Sequence, residues 1–491
     1  MPLQDSQQYS PAELRQVMVG LGLAMLLSAL DQTIVVAALP TIAAELGDAG
    51  DLPWIVTAYL VAATVVTPLY GKFADVHGRR RVILIGVATF VVGSVACALA
   101  PSMTALAISR AVQGLGGGGL IALAQTVVAD LVSPRERGRY QSYFAAVFVV
   151  SSIAGPALGG LFAQYWSWRL IFWINLPLGL AAFVIVNARL KRLPERRHPH
   201  RVDYLSAAAL IFASGLTVLA LGWGGVRYPW RSAPILGLIG AACLAWALFA
   251  WRTARAAEPL IPPRIFGLAI VRNAILASSM GLGAFVGLSV VMPIYYEACA
   301  GMNARDSGLA LIPLMVGTVA GATLAGRLMP YLKHYKLAPL VSLGFATLAA
   351  LGAALMMGED GARSLLALNA LLTVVTFGVG AMLPVATVSV QNAVDARDLG
   401  TATASMQFFR QLWASAMVAL FAALALGGGR AELLADLKPG VDAASLAASF
   451  RYVFFALALC VGLAFFFMAR MEERPLRTER RASAQRELSD R

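Results

Sequence analysis

The stretch VMVGLGLAMLLSALDQTIVVAAL, Val17 to Leu39, is apolar nearly throughout and contains one carboxylate, Asp31. Roughly 17 to 25 such residues suffice to cross a bilayer as a helix. Asp31 lies within about a helical turn of the middle of this stretch, where a charged side chain costs roughly 2.5 to 3.5 kcal/mol on insertion scales. No other acidic residue is placed so deep in a long apolar run of this chain. Such a group needs a wet, paired cavity, which makes an ion or proton relay its leading role.

Working outward, thirteen more apolar runs follow, at 52–70, 82–100, 104–128, 140–163, 169–188, 204–222, 233–251, 273–294, 307–329, 338–357, 364–389, 403–426 and 451–469. The composition agrees: 59% of the 491 residues are hydrophobic and the mean hydropathy is +0.72. A soluble domain is excluded as the main body of the chain. Backbone in lipid must satisfy its own hydrogen bonds, and these runs are too long and continuous for barrel strands. The expectation is an all-α polytopic membrane protein with about fourteen transmembrane helices.

Cations fix its orientation. Lys72 and Arg79 to Arg81, then Arg135, Arg137 and Arg139, then the segment 189–203 and the tail from Arg470 alternate with loops at 40–53 and 100–104 that carry no Lys or Arg. The positive-inside rule makes the cation-rich side cytoplasmic, and an even number of spans returns both termini there. The formal net charge of +13 is then a topological signal, with no nucleic-acid partner implied. Residues 1–16 are polar and the first run is long enough to span, which reads as a retained signal anchor. Cys97, Cys243, Cys299 and Cys460 are scattered among the spans, a spacing that suggests no metal site and no disulfide framework.

The longest cationic break, RLKRLPERRHPHR (Arg189 to Arg201), follows the sixth run, and a second, Arg252 to Arg272, follows the eighth. The layout is therefore six, two and six: residues 1–188 as one bundle, 189–272 as loops with two extra helices, 273–471 as a second bundle, and 472–491 as a charged tail. Two bundles joined by an insertion suit a transporter built from internal repeats. The symmetry in sequence is faint, since GKFADVHGRRR (Gly71 to Arg81) has only GRLMPYLKHYK (Gly326 to Lys336) as a degenerate counterpart.

Within GKFADVHGRRR, Gly71 and Gly78 permit close backbone approach or positive φ, and Asp75 can pair with arginines or cap a neighbouring helix. This run resembles the signature loop of the major facilitator superfamily at Gly71, Ala74, Asp75, Gly78, Arg79, Arg80 and Arg81, departing from it at Phe73 and Val76. LDQTIVVAALPTI (Leu30 to Ile42) resembles the first-helix signature of the fourteen-span drug:proton antiporters, with Val36 where Asn is usual. RAVQGLGGGG (Arg110 to Gly119) is similar to the fourth-helix motif, GPALGG (Gly155 to Gly160) to the fifth-helix antiporter motif, WSWRLIFWINLPLG (Trp166 to Gly179) to the start of the sixth helix, and FFRQLW (Phe408 to Trp413) to the thirteenth-helix pattern.

The resemblance implies a major facilitator fold, two six-helix bundles plus two inserted helices. It implies an inner-membrane antiporter that exports amphipathic or cationic drugs in exchange for protons. In that reading Asp31 carries the proton and Arg110 tunes it, Gly71, Asp75, Gly78, Arg79 and Arg80 latch the cytoplasmic side, and Gly155, Pro156, Gly159 and Gly160 form a seam along which helices rock. Trp54, Tyr59, Gln113, Phe144, Phe148, Phe285 and Phe409 are candidates for the substrate cavity. Arg410, read as lying near the cytoplasmic start of its span, is expected to snorkel, and Glu297 beside Tyr295 and Tyr296 to be interfacial.

Gly114 to Gly119 also satisfies GxGxxG, but that pattern binds dinucleotides only after a strand in a βαβ unit, so helix packing is its expected role. No cofactor or metal is implied, and the absence of a GxxxxGK phosphate loop leaves an ion gradient as the energy source, proton or sodium. The partners admitted are a small-molecule substrate, protons, the lipid bilayer, and a periplasmic adaptor with an outer-membrane channel. Rival readings are a dedicated exporter of one metabolite, such as a siderophore, lipid or antibiotic, and a sensor or scaffold that moves nothing. No His, Cys or Ser constellation converges in the spans to suggest an enzyme.

Overall fold

The computed structural model describes residues 10–47, 52–192, 203–225, 227–256, 259–358, 361, 362, 364–425 and 443–476. The start of the polar leader, the cationic run over 193–202 and the tail from 477 lie outside the described residues. Fourteen helices are long and apolar enough to cross a membrane: α1 (Ala12–Leu46), α2 (Trp54–His77), α3 (Arg79–Ala98), α4 (Met103–Leu131), α5 (Pro134–Tyr165), α6 (Leu170–Arg189), α7 (Tyr204–Trp223), α8 (Ala233–Arg255), α9 (Ala269–Ala298), α10 (Asp306–Leu328), α11 (Leu337–Met356), α12 (Leu365–Ala393), α13 (Ala396–Ala425) and α14 (Ala448–Arg470). Among the described residues the strands are limited to Met357–Gly358 and Gly361–Ala362, a short hairpin between α11 and α12.

Several helices outrun the apolar stretches that signal them. α1 continues from 39 to Leu46, and α5 begins at Pro134 rather than 140. Hydropathy registers only the lipid-facing part, whereas polar caps extend the helix beyond it. At the start of α1, Ser10 accepts from the Glu13 amide at 3.2 Å and Glu13 accepts from the Ser10 amide at 2.9 Å, a reciprocal capping box. Asp203 caps α7 by accepting from the Ser206 amide at 3.2 Å.

The internal repeat, faint in sequence, is plain in packing. In the first bundle α1 packs on α5 and α6, α4 on α2 and α3, and α3 on α6. In the second, α9 packs on α13 and α14, α12 on α10 and α11, and α11 on α14, the same scheme eight helices later. The bundles meet through two equivalent pairings, α2 with α13 and α5 with α10. Each joins the second helix of one bundle to the fifth of the other, as a two-fold relation requires.

The insertion is placed by the same logic. α7 packs on both α2 and α13, so it covers one of the two seams between bundles, and α8 packs on α7 farther out. Leu69, Ala207, Leu210, Leu260, Ile261 and Phe408 form one buried cluster there.

Lipid supplies no hydrophobic drive for helices to associate, so close approach of small residues does much of the work. The glycine run of α4 serves this end. A Cβ on Gly114 would lie 2.5 Å from the Tyr59 carbonyl oxygen of α2, and one on Gly116 would lie 2.6 Å from the Phe90 Cα and 2.7 Å from the Gly86 carbonyl oxygen of α3. The run is wedged between two helices, a packing device with no nucleotide-binding geometry around it.

Gly116→Leu is therefore expected to destabilise the first bundle by roughly 1 to 3 kcal/mol or more, the usual cost of overpacking. Gly237→Leu on α8, where an added Cβ meets nothing within 4 Å, should leave thermal unfolding in detergent unchanged. Equal unfolding midpoints for the two variants would contradict this packing.

Candidate functional site

Asp31 is fully buried, and five helices supply its surroundings. Arg110 of α4 donates through Nη1 to Asp31 Oδ2 at 2.5 Å. Gln113 sits one turn further along α4 on the same face, and its Nε2 donates to Asp31 Oδ1 at 2.8 Å while its Oε1 accepts from Arg110 Nη1 at 2.6 Å. Asn175 of α6 adds a longer bond to Oδ1 at 3.4 Å. Ser94 of α3 accepts from both Gln113 (3.1 Å) and Asn175 (2.9 Å) and donates to the Phe172 carbonyl at 3.0 Å. The guanidinium is held from two other directions: its Nε donates to the Ile55 carbonyl at 3.1 Å, and its carbon lies 4.3 Å from the centroid of the Tyr59 ring.

The depths behind this pairing differ from those the apolar runs suggest. Asp31 is fifteen residues from the end of α1 at Leu46 and Arg110 only seven from the start of α4 at Met103. The two meet because α1 projects beyond α4 at that end, by about 12 Å at 1.5 Å per residue.

Removing two charges from water is repaid only when geometry is good and the remaining donors and acceptors are filled. Here Arg110, Gln113 and Asn175 between them fill both carboxylate oxygens of Asp31, at 1% exposure for Arg110 and 0% for Asp31. The arrangement has two chemical states. With the carboxylate ionised, the charges and amides lock α1, α4 and α6 together; a proton on Asp31 would cancel the attraction and free Arg110 for another acceptor.

Arg110, Tyr59 and Gln32 also line a cavity of about 1060 Å³ between the bundles, with Asp31 directly behind them. Phe144, Phe148 and Phe285 line it as well. Four other residues depart from expectation. Gln113 is not on the wall, because its amide is consumed in the Asp31 cluster. Trp54 packs edge-on against Trp223 of α7, with centroids 5.0 Å apart, and Phe409 packs against Phe266 and Phe408. Arg410 does not snorkel: it is 3% exposed, lines the cavity and donates to Thr387 Oγ1 at 3.2 Å. The helix containing it starts at Leu399, ahead of the apolar run, which puts Arg410 about 16 Å along the axis.

The cation-rich end is closed. Asp75 of α2 accepts from the amides of Gly400 (3.1 Å) and Thr401 (2.7 Å), from the Thr401 hydroxyl (2.8 Å) and from Arg79 Nη1 (2.5 Å). It thus caps the N-terminus of the helix Leu399–Ala425 in the opposite bundle, where the helix dipole favours an anion. Arg79 bridges onward to Asp130 of α4 at 3.1 Å, and Arg80 donates to Asn187 Oδ1 of α6 at 2.6 Å. Both glycines of the loop are needed. Gly78 has φ +88°, and a Cβ on Gly71 would lie 2.6 Å from the Gly400 carbonyl oxygen. The other seam is equally tight, with a Cβ on Gly138 of α5 falling 2.7 Å from the Gly326 oxygen of α10, and Arg135 Nε donating to the Pro330 carbonyl at 2.8 Å.

Gly155 and Gly159 of α5 face inward to their own bundle. A Cβ on Gly155 would strike Thr33 and one on Gly159 the Ile34 carbonyl, both on α1, whereas Gly160 has open space beside it. Pro156 lies inside α5, and Thr33 Oγ1 donates to the Ser151 carbonyl at 2.9 Å across the same contact. This seam therefore joins α1, which carries Asp31, to α5, which joins the second bundle through α10. Glu297 lies outside the cavity, accepting from Ser307 at 2.6 Å. Among the described residues no three His, Cys, Asp or Glu side chains converge to hold a metal.

Asn175, Ser94 and Asp130 escape sequence reading. Asn175 had a signal, a lone amide in the apolar run IFWINLPLG, but Ser94 does not stand out among small residues.

A family model described as Major Facilitator Superfamily matches residues 21–205 and 204–419. An uncharacterized MFS-type transporter of Mycobacterium tuberculosis is 39% identical over 415 residues, covering 84% of this chain; the match spans 60% of that relative's own length. The multidrug transporter protein MdtP of Bacillus subtilis is 31% identical over 437 residues, covering 88% of this chain and 79% of the relative. Among solved structures, the proton:xylose symporter XylE bound to 6-bromo-6-deoxy-D-glucose aligns with a TM-score of 0.65 at 16% identity, over 97% of this chain and 100% of that one. That likeness concerns the fold alone.

The buried pair predicts a non-additive mutant cycle. Arg110→Gln strands an ionised Asp31 and is expected to cost about 3 to 5 kcal/mol. Adding Asp31→Asn should recover part of that loss, with a coupling energy of roughly 0.5 to 3 kcal/mol read from unfolding midpoints of the four proteins. Strict additivity would mean that the two side chains do not interact.

Proposed function

Because the chain belongs to the major facilitator superfamily and is of its multidrug-efflux type, we propose that it is a proton-coupled antiporter that exports amphipathic organic compounds across the inner membrane. The observation that carries this reading is the Asp31–Arg110 pair, whose arginine lines a large cavity with the carboxylate directly behind it. An ionisable residue inside a membrane is expensive, and a carboxylate one arginine away from the cavity is well placed to exchange a proton with it.

The positive-inside rule makes the cation-rich end cytoplasmic, so the conformation described is closed to the cytoplasm. The cavity reaches Gly224 to Trp230, at the opposite end of α7, which is then the external side. In this state Asp31 accepts hydrogen bonds from Arg110, Gln113 and Asn175. A proton arriving from outside neutralises it and releases the guanidinium. The loosened α1 then shifts against α5 along the Gly155 and Gly159 contact, and α5 transmits the change to α10. On the cytoplasmic face the cycle must break the Asp75 cap of α13, and substrate occupies the cavity as Asp31 gives its proton back. Reversing such an equilibrium from 1:99 to 99:1 takes about 5.5 kcal/mol of differential binding, which proton and substrate supply together.

Two experiments test this. In everted membrane vesicles, Asp31→Asn is expected to insert at normal abundance yet lose uptake driven by an imposed pH gradient, because Asn keeps the shape but cannot titrate. Gradient-driven uptake at the unmutated rate would exclude Asp31 as the carrier, and uptake that follows sodium instead of protons would change the coupling ion. Asp75→Ala removes the anion from the α13 N-terminus and should shift the conformational balance toward the cytoplasm-open state by about 1 to 3 kcal/mol. Cysteine labelling on both faces reads that balance; an unchanged pattern would reduce the loop to a topology signal.

A further inference from the structure

We propose that the cavity selects amphipathic organic anions, with Arg410 binding their carboxylate or sulfonate; this rests on the export reading and narrows its substrate class. The charged side chains lining the cavity are Arg110, Arg227 and Arg410, and among the described residues no Asp or Glu joins them. The charge of Arg110 is taken up by Asp31. Among the described residues no acidic side chain takes up that of Arg410.

Arg410 lies about 16 Å along its helix from Leu399, within a membrane-spanning helix. It is 3% exposed, its one hydrogen bond goes to the Thr387 hydroxyl, and its Nε has no partner among the described residues. No carboxylate of the described chain pairs with it. A guanidinium cannot shed its proton to escape this burial, so the compensating charge has to come from what occupies the cavity. Its planar donors suit a carboxylate or sulfonate.

The neighbourhood completes an anion subsite. Gln141 of α5 lines the same cavity with a buried Nε2 unpartnered among the described residues, a further donor supplied by the other bundle. Phe144, Phe148 and Phe285 offer apolar wall for the body of the ligand. At the external mouth Arg227 stands over Trp223 and Tyr228, 5.5 and 5.8 Å from their centroids, a fixed positive charge on the path. A cationic ligand would meet the guanidiniums of Arg227 and Arg410 and, among the described lining residues, no carboxylate to answer its own charge, which discriminates against it. The sequence-based expectation of cationic drugs finds no support in this lining.

An electrical consequence follows. One proton entering against one monoanion leaving moves two charges in the same sense per cycle, whereas a neutral substrate moves one and a monovalent cation none.

The test uses three dyes that share a dansyl ring and differ in one substituent: a carboxylate, a primary amide and a quaternary ammonium. On the purified full chain, the carboxylate dye is expected to bind at least about tenfold more tightly than the other two, the effect of a charge-assisted hydrogen bond. Arg410→Gln should abolish that preference while leaving the amide dye's affinity within about threefold, and Arg410→Lys should keep the preference in weakened form. In proteoliposomes the carboxylate dye should give the largest transport current at a fixed pH gradient. Equal or tighter binding of the ammonium dye, or a carboxylate preference that survives Arg410→Gln, would overturn the proposal. If Arg410→Gln does not fold, the ranking of the three dyes and of their currents on the unaltered protein decides alone. Arg410-dependent binding without gradient-driven movement of any dye would keep the anion site and sink the export reading. Gradient-driven movement of the ammonium dye with no carboxylate preference would do the reverse.

Discussion

The contact between Asp31 and Arg110 sets the terms for the first bundle. Neither charge is tolerable alone at that depth, and the pair is tolerable because both carboxylate oxygens accept hydrogen bonds from Arg110, Gln113 and Asn175. Gln113 bridges both partners, Ser94 accepts from both Gln113 and Asn175, and Tyr59 offers its ring face to the guanidinium while its hydroxyl lies 3.2 Å from Ser28. These groups come from α1, α2, α3, α4 and α6, so five of the six helices are registered by one polar cluster. Glycines at α4 then let the helices approach closely enough for the cluster to close.

A cluster of that kind can bias a conformational change only if a second feature senses it. The molecule provides one at the cation-rich end, where Asp75 spans the bundles by capping the first turn of α13. The two carboxylates differ in construction. Asp31 is balanced within its own bundle by side chains. Asp75 is balanced across bundles by backbone amides, and its bonds exist only in the conformation that brings α13 to it. The α1–α5 contact at Gly155 and Gly159 and the α5–α10 seam at Gly138 and Gly326 form a continuous packed route from one region to the other.

Much of this was legible in the sequence, for reasons that differ by residue. Asp31 stood out because the membrane makes a lone carboxylate costly, and Arg110 because it opens a recognisable motif. The helix count followed from hydropathy, while helix ends did not, since caps such as Ser10 and Glu13 extend helices with polar residues that hydropathy discounts. Arg410 was misplaced for the same reason: the turns of α13 before it carry Thr401, Thr403, Ser405 and Gln407, which mask its depth. Gln113 and Trp54 were assigned to the cavity by residue type, but which face of a helix meets an open space depends on neighbours that one sequence does not reveal. The six, two, six layout was visible in the cationic breaks; that α7 covers the α2–α13 seam was not, because docking of an apolar helix in lipid leaves little compositional trace.

The central claim is that Asp31 is the group whose protonation changes as the protein works. Infrared difference spectra of the reconstituted protein, recorded between acidic and alkaline conditions, observe this directly through the carbonyl stretch of a protonated carboxyl. The account predicts one such band that disappears in Asp31→Asn and persists in Asp75→Asn. A spectrum without that band, or one in which the band survives Asp31→Asn, would contradict it.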